Sequence, residues 1–244
     1  MTTAAPSYPT VTRDQMAALD RAMIDDLHIS LEQMMENAGR ALAQLAWTRF
    51  LGEDPATTRV VVLTGKGGNG GGALVGARNL SNWGVNSQVA LASPEEDLAP
   101  VTAHQLAILR RLDVPVVLAS QAADLAPANL IIDGLVGYSL AGPPRGTTAA
   151  LVRWANSQPA PVLALDLPTG LDANTGKAYD PTVQATATLT LAIPKTGLMA
   201  PQARTHVGEL YLADIGVPTA LVRTMLGDTA LIPLFSGEGV ISLE

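Results

Sequence analysis

The 244-residue sequence contains no cysteine. That absence excludes disulfides, thiolate zinc sites and a cysteine nucleophile, and it makes a reducing cytoplasm the simplest setting. Positive charge is sparse: 15 Lys and Arg stand against 22 Asp and Glu, for a formal net charge of −7, and no basic run occurs. Nucleic acid, whose phosphates need a dense cationic patch, is not an expected partner. No apolar run reaches the ~18 residues that a membrane helix requires, so no membrane partner is expected. The opening MTTAAPSYPT lacks a charged n-region and an apolar h-region, and does not read as a signal peptide. The three histidines, His28, His104 and His206, are scattered without metal-ligand spacing.

What is present supports one domain: 48% of residues are hydrophobic and 15% charged, enough to bury a substantial core. The most informative stretch is residues 59–84, RVVVLTGKGGNGGGALVGARNLSNWG. Val60, Val61, Val62 and Leu63 form an uninterrupted apolar run, as expected of a parallel strand covered on both faces. Glycines follow at 65, 67, 68, 70, 71 and 72. They predict a loop able to take positive φ and to let another molecule come close. Leu74, Val75 and Leu80 then pattern a helix that Gly84 ends, and a helix amino terminus facing the loop attracts anions.

Around this stretch the chain alternates. A flexible arm is expected over 1–11, one domain over 12–226 and an irregular tail over 227–244. Thr12 with Gln15, and Ser30 with Gln33, have capping-box spacing. They predict two helices, the first with Met16, Leu19, Met23 and Leu27 inward, the second carrying Leu31, Met34, Met35, Ala38, Leu42 and Leu45. Further strands are expected at 87–92, 115–118, 130–133, 162–165, 189–193 and 209–212. Helices are expected at 101–112, with Leu106, Leu109 and Leu112 inward, at 147–156 and at 219–225. Such alternation implies an α/β fold with a mainly parallel central sheet and helices on both faces.

In sheets of this kind ligands bind beyond the carboxyl ends of the strands. Residues 65–72, Asp133, the 137–146 loop, Asp166 and Thr169 all fall there. One aspartate at a strand end can simply cap a turn; two beside a glycine loop favour a site. Gly65, Gly67 and Gly70 satisfy G-x-G-x-x-G, and Glu95 with Glu96 stands where a ribose-binding acid belongs, so an NAD(P)-dependent dehydrogenase stays open. No Lys-Ser/Thr pair follows the glycines, which excludes a Walker loop. Ser139, Asp166 and His206 occur in hydrolase-triad order, but Ser139 lacks the second glycine of a nucleophile elbow and Pro143 with Pro144 blocks the helix that should follow. Asp133, the Asn69 carbonyl and the Thr169 hydroxyl offer hard oxygen ligands for a cation.

Five segments together resemble the NAD(P)H-hydrate epimerase family, also called the YjeF N-terminal domain family. They are LEQMMENAG at 31–39, the glycine loop, IDGLVG at 132–137, DLPTGLD at 166–172 and PKTGL at 194–198, with Gly208 and DIGVP at 214–218 closing the region. The resemblance covers roughly residues 16–218. It implies a Rossmann-like three-layer sandwich that interconverts the C6 epimers of hydrated NADH and NADPH (NADHX and NADPHX), which are substrate rather than cofactor, with a bound potassium ion. The metal ligands it implies are Asn69, Asp133 and Thr169. The substrate contacts it implies are Asn37, Gly68, Asn69, Gly70, Gly71, Gly72, Gly137, Tyr138, Ser139, Leu140, Ala141, Gly142, Pro143 and Asp166. Asp166 and Lys195 are the candidate catalytic residues: Asp166 as general acid–base, Lys195 to hold a phosphate or tune Asp166, with a solvated loop charge as the other reading of Lys195. A separate NAD(P)H-hydrate dehydratase is the implied functional partner, and a homodimer is among the assemblies left open. The chain departs from the family pattern with Gly68 for an asparagine, Gly72 for an aspartate and Ala73 for a glycine. With that acid missing, a nucleotide-binding module of the same fold with weakened or lost catalysis is the second reading.

Overall fold

The computed structural model describes residues 8–52, 57–119, 125, 127–227, 235 and 238–243. Helix α1, Arg13–Arg21, and helix α2, Leu31–Ala46, each start on a reciprocal capping box. Thr12 Oγ1 accepts the Gln15 N–H at 3.3 Å while Gln15 Oε1 accepts the Thr12 N–H at 2.8 Å, and Ser30 with Gln33 repeats the exchange. Each box satisfies N–H groups that a helix start leaves without intrahelical partners.

Eight strands follow among the described residues: β1 Arg59–Thr64, β2 Asn86–Leu91, β3 Val116–Leu118, β4 Leu130–Gly134, β5 Val162–Leu165, β6 Ala187–Leu191, β7 Glu209–Ala213 and β8 Val240–Ser242. They form one sheet of order β3-β2-β1-β4-β5-β6-β7-β8, parallel throughout except for β8, which runs antiparallel to β7. The further α-helices among the described residues are α3 Gly68–Asn82, α4 Pro100–Arg111, α5 Gly146–Ser157, α6 Arg204–Val207 and α7 Thr219–Leu226. Side chains alternate across a strand. Val60 and Val62 accordingly join the core under α2, α3 and α4, while Val61 and Leu63 join the core under α5. This is the expected three-layer α/β architecture. From β1 the chain winds outward to β3, then returns to β4 beside β1 and winds the other way. The carboxyl ends of β1 and β4 therefore flank a topological switch point, where such sheets open a crevice.

The structure corrects several local expectations. The glycine stretch is largely helix, since α3 begins at Gly68, and no glycine from 65 to 72 has positive φ. Close approach is what these glycines permit: a Cβ on Gly65 would sit 1.8 Å from the Leu135 carbonyl oxygen, and one on Gly70 2.0 Å from that of Gly65. Leu112 follows the end of α4 and is 47% exposed rather than inward. The sixth strand stops at Leu191, because residues 192–193 turn sharply.

The arm and the tail also differ from their expectation where they are described. Val11 is 1% exposed and forms a parallel bridge with Lys195. Residues 240–242 extend the sheet as β8, their backbone groups finding partners on the β7 edge. Residues 1–7 of the expected arm and much of the expected tail lie outside the described residues.

Candidate active site

Strands β5 and β6 end alike. Asp166 has φ +69° and is spanned by a Leu167 N–H to Leu165 carbonyl bond of 3.0 Å; Ala192 has φ +62° and is spanned by an Ile193 to Leu191 bond of 2.7 Å. Positive φ is uncommon for residues with a Cβ and concentrates at functional sites. The two turns set Asp166 and Lys195 against one another, and Lys195 Nζ donates to Asp166 Oδ1. Lys195 is 0% exposed, and its ammonium also donates to the Leu191 carbonyl at 2.9 Å and to Thr190 Oγ1 at 3.4 Å, so its three protons are all matched. Asp166 Oδ2 accepts the Tyr138 N–H at 2.9 Å. Two buried charges are tolerable on such terms, paired with each other, with a partner for every ammonium proton and for each carboxylate oxygen. Lys195 is therefore not a solvated loop charge.

Asp133, at the end of β4, is 0% exposed. Its Oδ1 accepts the Thr169 hydroxyl at 2.8 Å and the Leu135 N–H at 3.2 Å, and its Oδ2 accepts the Thr169 N–H at 2.8 Å. Burial nevertheless outweighs these bonds and pushes the carboxyl up to about 6. Asn69, in the first turn of α3, has a buried Nδ2 with no hydrogen-bond partner. Gly137 fits between two of these groups: a Cβ there would lie 2.6 Å from Asp166 Oδ2 and 3.2 Å from Asn69 Oδ1. Only glycine lets the 137–143 loop lie against both.

A cleft of about 340 Å³ opens over these residues. Asp20, Asn69, Tyr138, Ser139, Asp166 and Lys195 line its polar side, whereas Met34, Met35, Leu165, Leu191 and Ile215 supply an apolar wall. Of the expected substrate contacts, Gly68, Gly72 and Gly137 also line it. Gly70 and Gly71 are buried behind it, packed on Gly65 and on the Met35 side chain, and Asp133 and Thr169 are buried as well. Leu140, Ala141, Gly142 and Pro143 continue the loop beyond the lining residues.

Asn37 is not in the cleft. Its Nδ2 donates to the Ile215 carbonyl at 3.2 Å, and it borders a separate groove with Arg40, Gln44 and Asp214. Its contact with Ile215, just after β7, holds it on that side of α2. The triad order is likewise not assembled: His206 Nδ1 lies 3.2 Å from the Val183 carbonyl and does not line the cleft with Ser139 and Asp166. Glu95 pairs with Arg110 at 2.5 Å, and neither Glu95 nor Glu96 lines the cleft, which removes the ribose-binding acid of the dehydrogenase reading. Sequence reasoning missed Asp20, which lines the cleft from α1. A signal was available: Asp20 stands four residues after Met16, an acid on the stripe that carries Met16 and Leu19.

The YjeF-related protein N-terminus family matches residues 31–197, a span that contains the glycine stretch, Asp133, Asp166 and Lys195. The chain belongs to this family. It is 41% identical over 216 residues to the NAD(P)H-hydrate epimerase of Dehalogenimonas lykanthroporepellens, covering 86% of this chain and 83% of that protein. It is 31% identical to the NAD(P)H-hydrate epimerase of Rhodopirellula baltica, over 88% of this chain and 87% of that one. The bifunctional NAD(P)H-hydrate repair enzyme of Moorella thermoacetica is 36% identical over 88% of this chain, which spans only 42% of that longer protein. The crystal structure of yeast ynu0 superposes with a TM-score of 0.82 over 96% of this chain and 99% of that one; at 23% identity it speaks for the fold. Among the described residues no helix is long and apolar enough to cross a membrane.

Proposed function

We propose that this protein is an isomerase that interconverts the R and S forms of NADHX and NADPHX at C6. The observation that carries the reading is the sealed Asp166–Lys195 pair bordering the cleft beside Asn69, in a chain that matches epimerases along most of its length. The C6–O bond of the hydrate breaks as the ring nitrogen's electron pair forms an iminium, and a proton held by the Asp166–Lys195 pair leaves with the hydroxyl as water. Water then adds to the opposite face of C6 and returns a proton to the pair. No electrons are gained or lost overall. The Asp166 carboxylate also faces the iminium charge, where a preorganised anion lowers the barrier. The amino end of α3 suits the pyrophosphate, because its first N–H groups have no intrahelical partners. The apolar wall suits the uncharged part of the nicotinamide ring.

Potassium fits the residues at hand. Asn69, Asp133 and Thr169 offer an all-oxygen donor set with one carboxylate, the choice of a hard cation, and the Asp133 carboxylate has no ion pair among the described residues. When bound, the ion would supply fixed positive charge at those oxygens. A stability test follows from the raised Asp133 carboxyl. Its folded-state value of about 6 lies above the ordinary 3.8, so the stability it contributes is complete below 3.8 and is lost as pH rises through 6. A cation offsets that loss. Melting temperature is expected to be higher in potassium chloride than in tetramethylammonium chloride well above pH 6, with the gap closing below 3.8 and absent in Asp133→Asn. Equal melting in both salts would remove potassium from the proposal.

The missing acid at 72 has a structural context. A Cβ on Gly72 would meet Leu165 Cδ2 at 3.2 Å and Ala38 Cβ at 3.9 Å, an apolar corner, while the groups able to carry a proton stand at Asp166 and Lys195. The unaltered protein is therefore expected to convert S hydrate to R hydrate, followed by chromatography, and Gly72→Asp to change that rate only a few-fold. Conversion no faster than the spontaneous rate, with a large gain on Gly72→Asp, would instead identify a binding module that has lost catalysis. The absence of cysteine suits a reducing cytoplasm, and the epimerised hydrate would pass to an NAD(P)H-hydrate dehydratase activity.

A further inference from the structure

The family match begins at residue 31, yet the segment before it touches the reaction centre repeatedly. Val11 donates to the Pro194 carbonyl at 3.0 Å and accepts the Thr196 N–H at 2.9 Å, clasping Lys195 from both sides. Arg13 Nη1 donates to the Leu140 carbonyl at 3.3 Å, and Tyr138 Oη donates to Asp20 Oδ2 at 2.5 Å. Tyr138 is the link between α1 and the catalytic pair. Its backbone N–H holds Asp166 Oδ2, and its ring centroid lies 5.9 Å from Lys195 Nζ, within range of a cation–π attraction.

We propose that Asp20 is a positioning residue for the reaction: by accepting the Tyr138 hydroxyl it fixes that ring over Lys195 and holds the backbone N–H that orients Asp166. Asp20 contacts neither Asp166 nor Lys195 by hydrogen bond, so it acts through Tyr138. Its placement costs stability. Asp20 is half-buried on α1 beside the inward Met16 and Leu19 and shortly before the buried Met23, where an apolar side chain would pack without desolvating a charge. Such local contradictions between residue type and environment gather at functional sites. Burial raises the Asp20 carboxyl, opposed by the Tyr138 hydrogen bond and the Lys195 charge and reinforced by Asp166. Burial and the facing Asp20 carboxylate raise the Tyr138 hydroxyl despite nearby Arg21, which keeps its proton on and available to donate.

The proposal rests on the epimerase reading, and two readouts keep the two apart. In the full chain, Asp20→Ala and Tyr138→Phe are each expected to lower kcat by ~10–100-fold, the scale of a small misplacement of reacting groups, with KM little changed. The double variant should be no slower than the slower single one, and Asp20→Asn, which keeps an acceptor oxygen, should recover most of the rate. The second readout needs no turnover. The chain has only three lysines, Lys66, Lys177 and Lys195, so the Lys195 ammonium can be assigned in a lysine-labelled ¹⁵N spectrum. Asp20→Ala and Tyr138→Phe should displace that resonance alike, and Asp20→Asn should not. An unmoved Lys195 resonance, additive rate losses, or a lowered melting temperature with full kcat would each overturn the positioning role. A protein without epimerase activity whose Lys195 signal still responds would overturn the reaction and leave the coupling standing.

Discussion

Asp166→Asn is expected to slow epimerisation by ~10²–10⁴-fold, the usual contribution of a general acid–base group. The carboxylate uses one oxygen to accept from Lys195 and the other to accept from the Tyr138 N–H at 2.9 Å. An asparagine has one acceptor oxygen, so its amide nitrogen must face one of these donors. That donor conflict costs about 1–3 kcal/mol of stability in a buried site. The rate must therefore be compared at a temperature where both proteins are folded, with melting followed in parallel. Loss of kcat in a folded variant carries the role; an Asp166→Asn rate equal to that of the parent removes Asp166 from proton transfer. KM should change far less than kcat, because the charge that is lost faces the iminium rather than the neutral hydrate ring.

Lys195→Met carries the largest expected effect on stability. Removing one member of a buried ion pair leaves the other charge without compensation, which typically costs ~3–5 kcal/mol. Here the stranded group is Asp166, 2% exposed, in a turn already strained at φ +69°. For a chain of this size such a loss corresponds to a fall in melting temperature on the order of 10 °C. The paired variant Asp166→Leu/Lys195→Met removes both charges and should recover much of that fall while remaining inactive, since two apolar side chains of similar volume fill the space without a desolvation cost. If Lys195→Met alone melts like the parent, the ammonium is not the partner that makes the buried carboxylate tolerable.

The pair also shows how far the sequence reaches. Asp166 and Lys195 were legible as members of two short motifs, with Lys195 able to tune Asp166, but their burial and direct ion pair were not. Neither a lysine in a Pro-Lys-Thr-Gly turn nor an aspartate after an apolar strand announces that it will be buried; two similar turns at the ends of β5 and β6 decide it. The triad order of Ser139, Asp166 and His206 shows the converse, an attractive pattern that the fold does not assemble.

The sequence by itself determined whatever depends on neighbours a few residues apart. Thr12 with Gln15 and Ser30 with Gln33 close their caps within one helical turn, and the run from Val60 to Leu63 is apolar because both faces of β1 are covered. The order of strands and helices followed from the same short-range periodicities. Only the tertiary structure decided that the glycine stretch is the start of α3, since packing against Leu135 and Gly65, not backbone freedom, requires those glycines. Long-range pairing likewise decided that Val11 flanks Lys195, that Asn37 faces away from the cleft, and that Asp20 meets Tyr138 across 118 positions of chain. Hydrogen bonds and buried charges of this kind are satisfied by groups that the chain brings together only on folding, and local sequence carries no record of which partner will arrive.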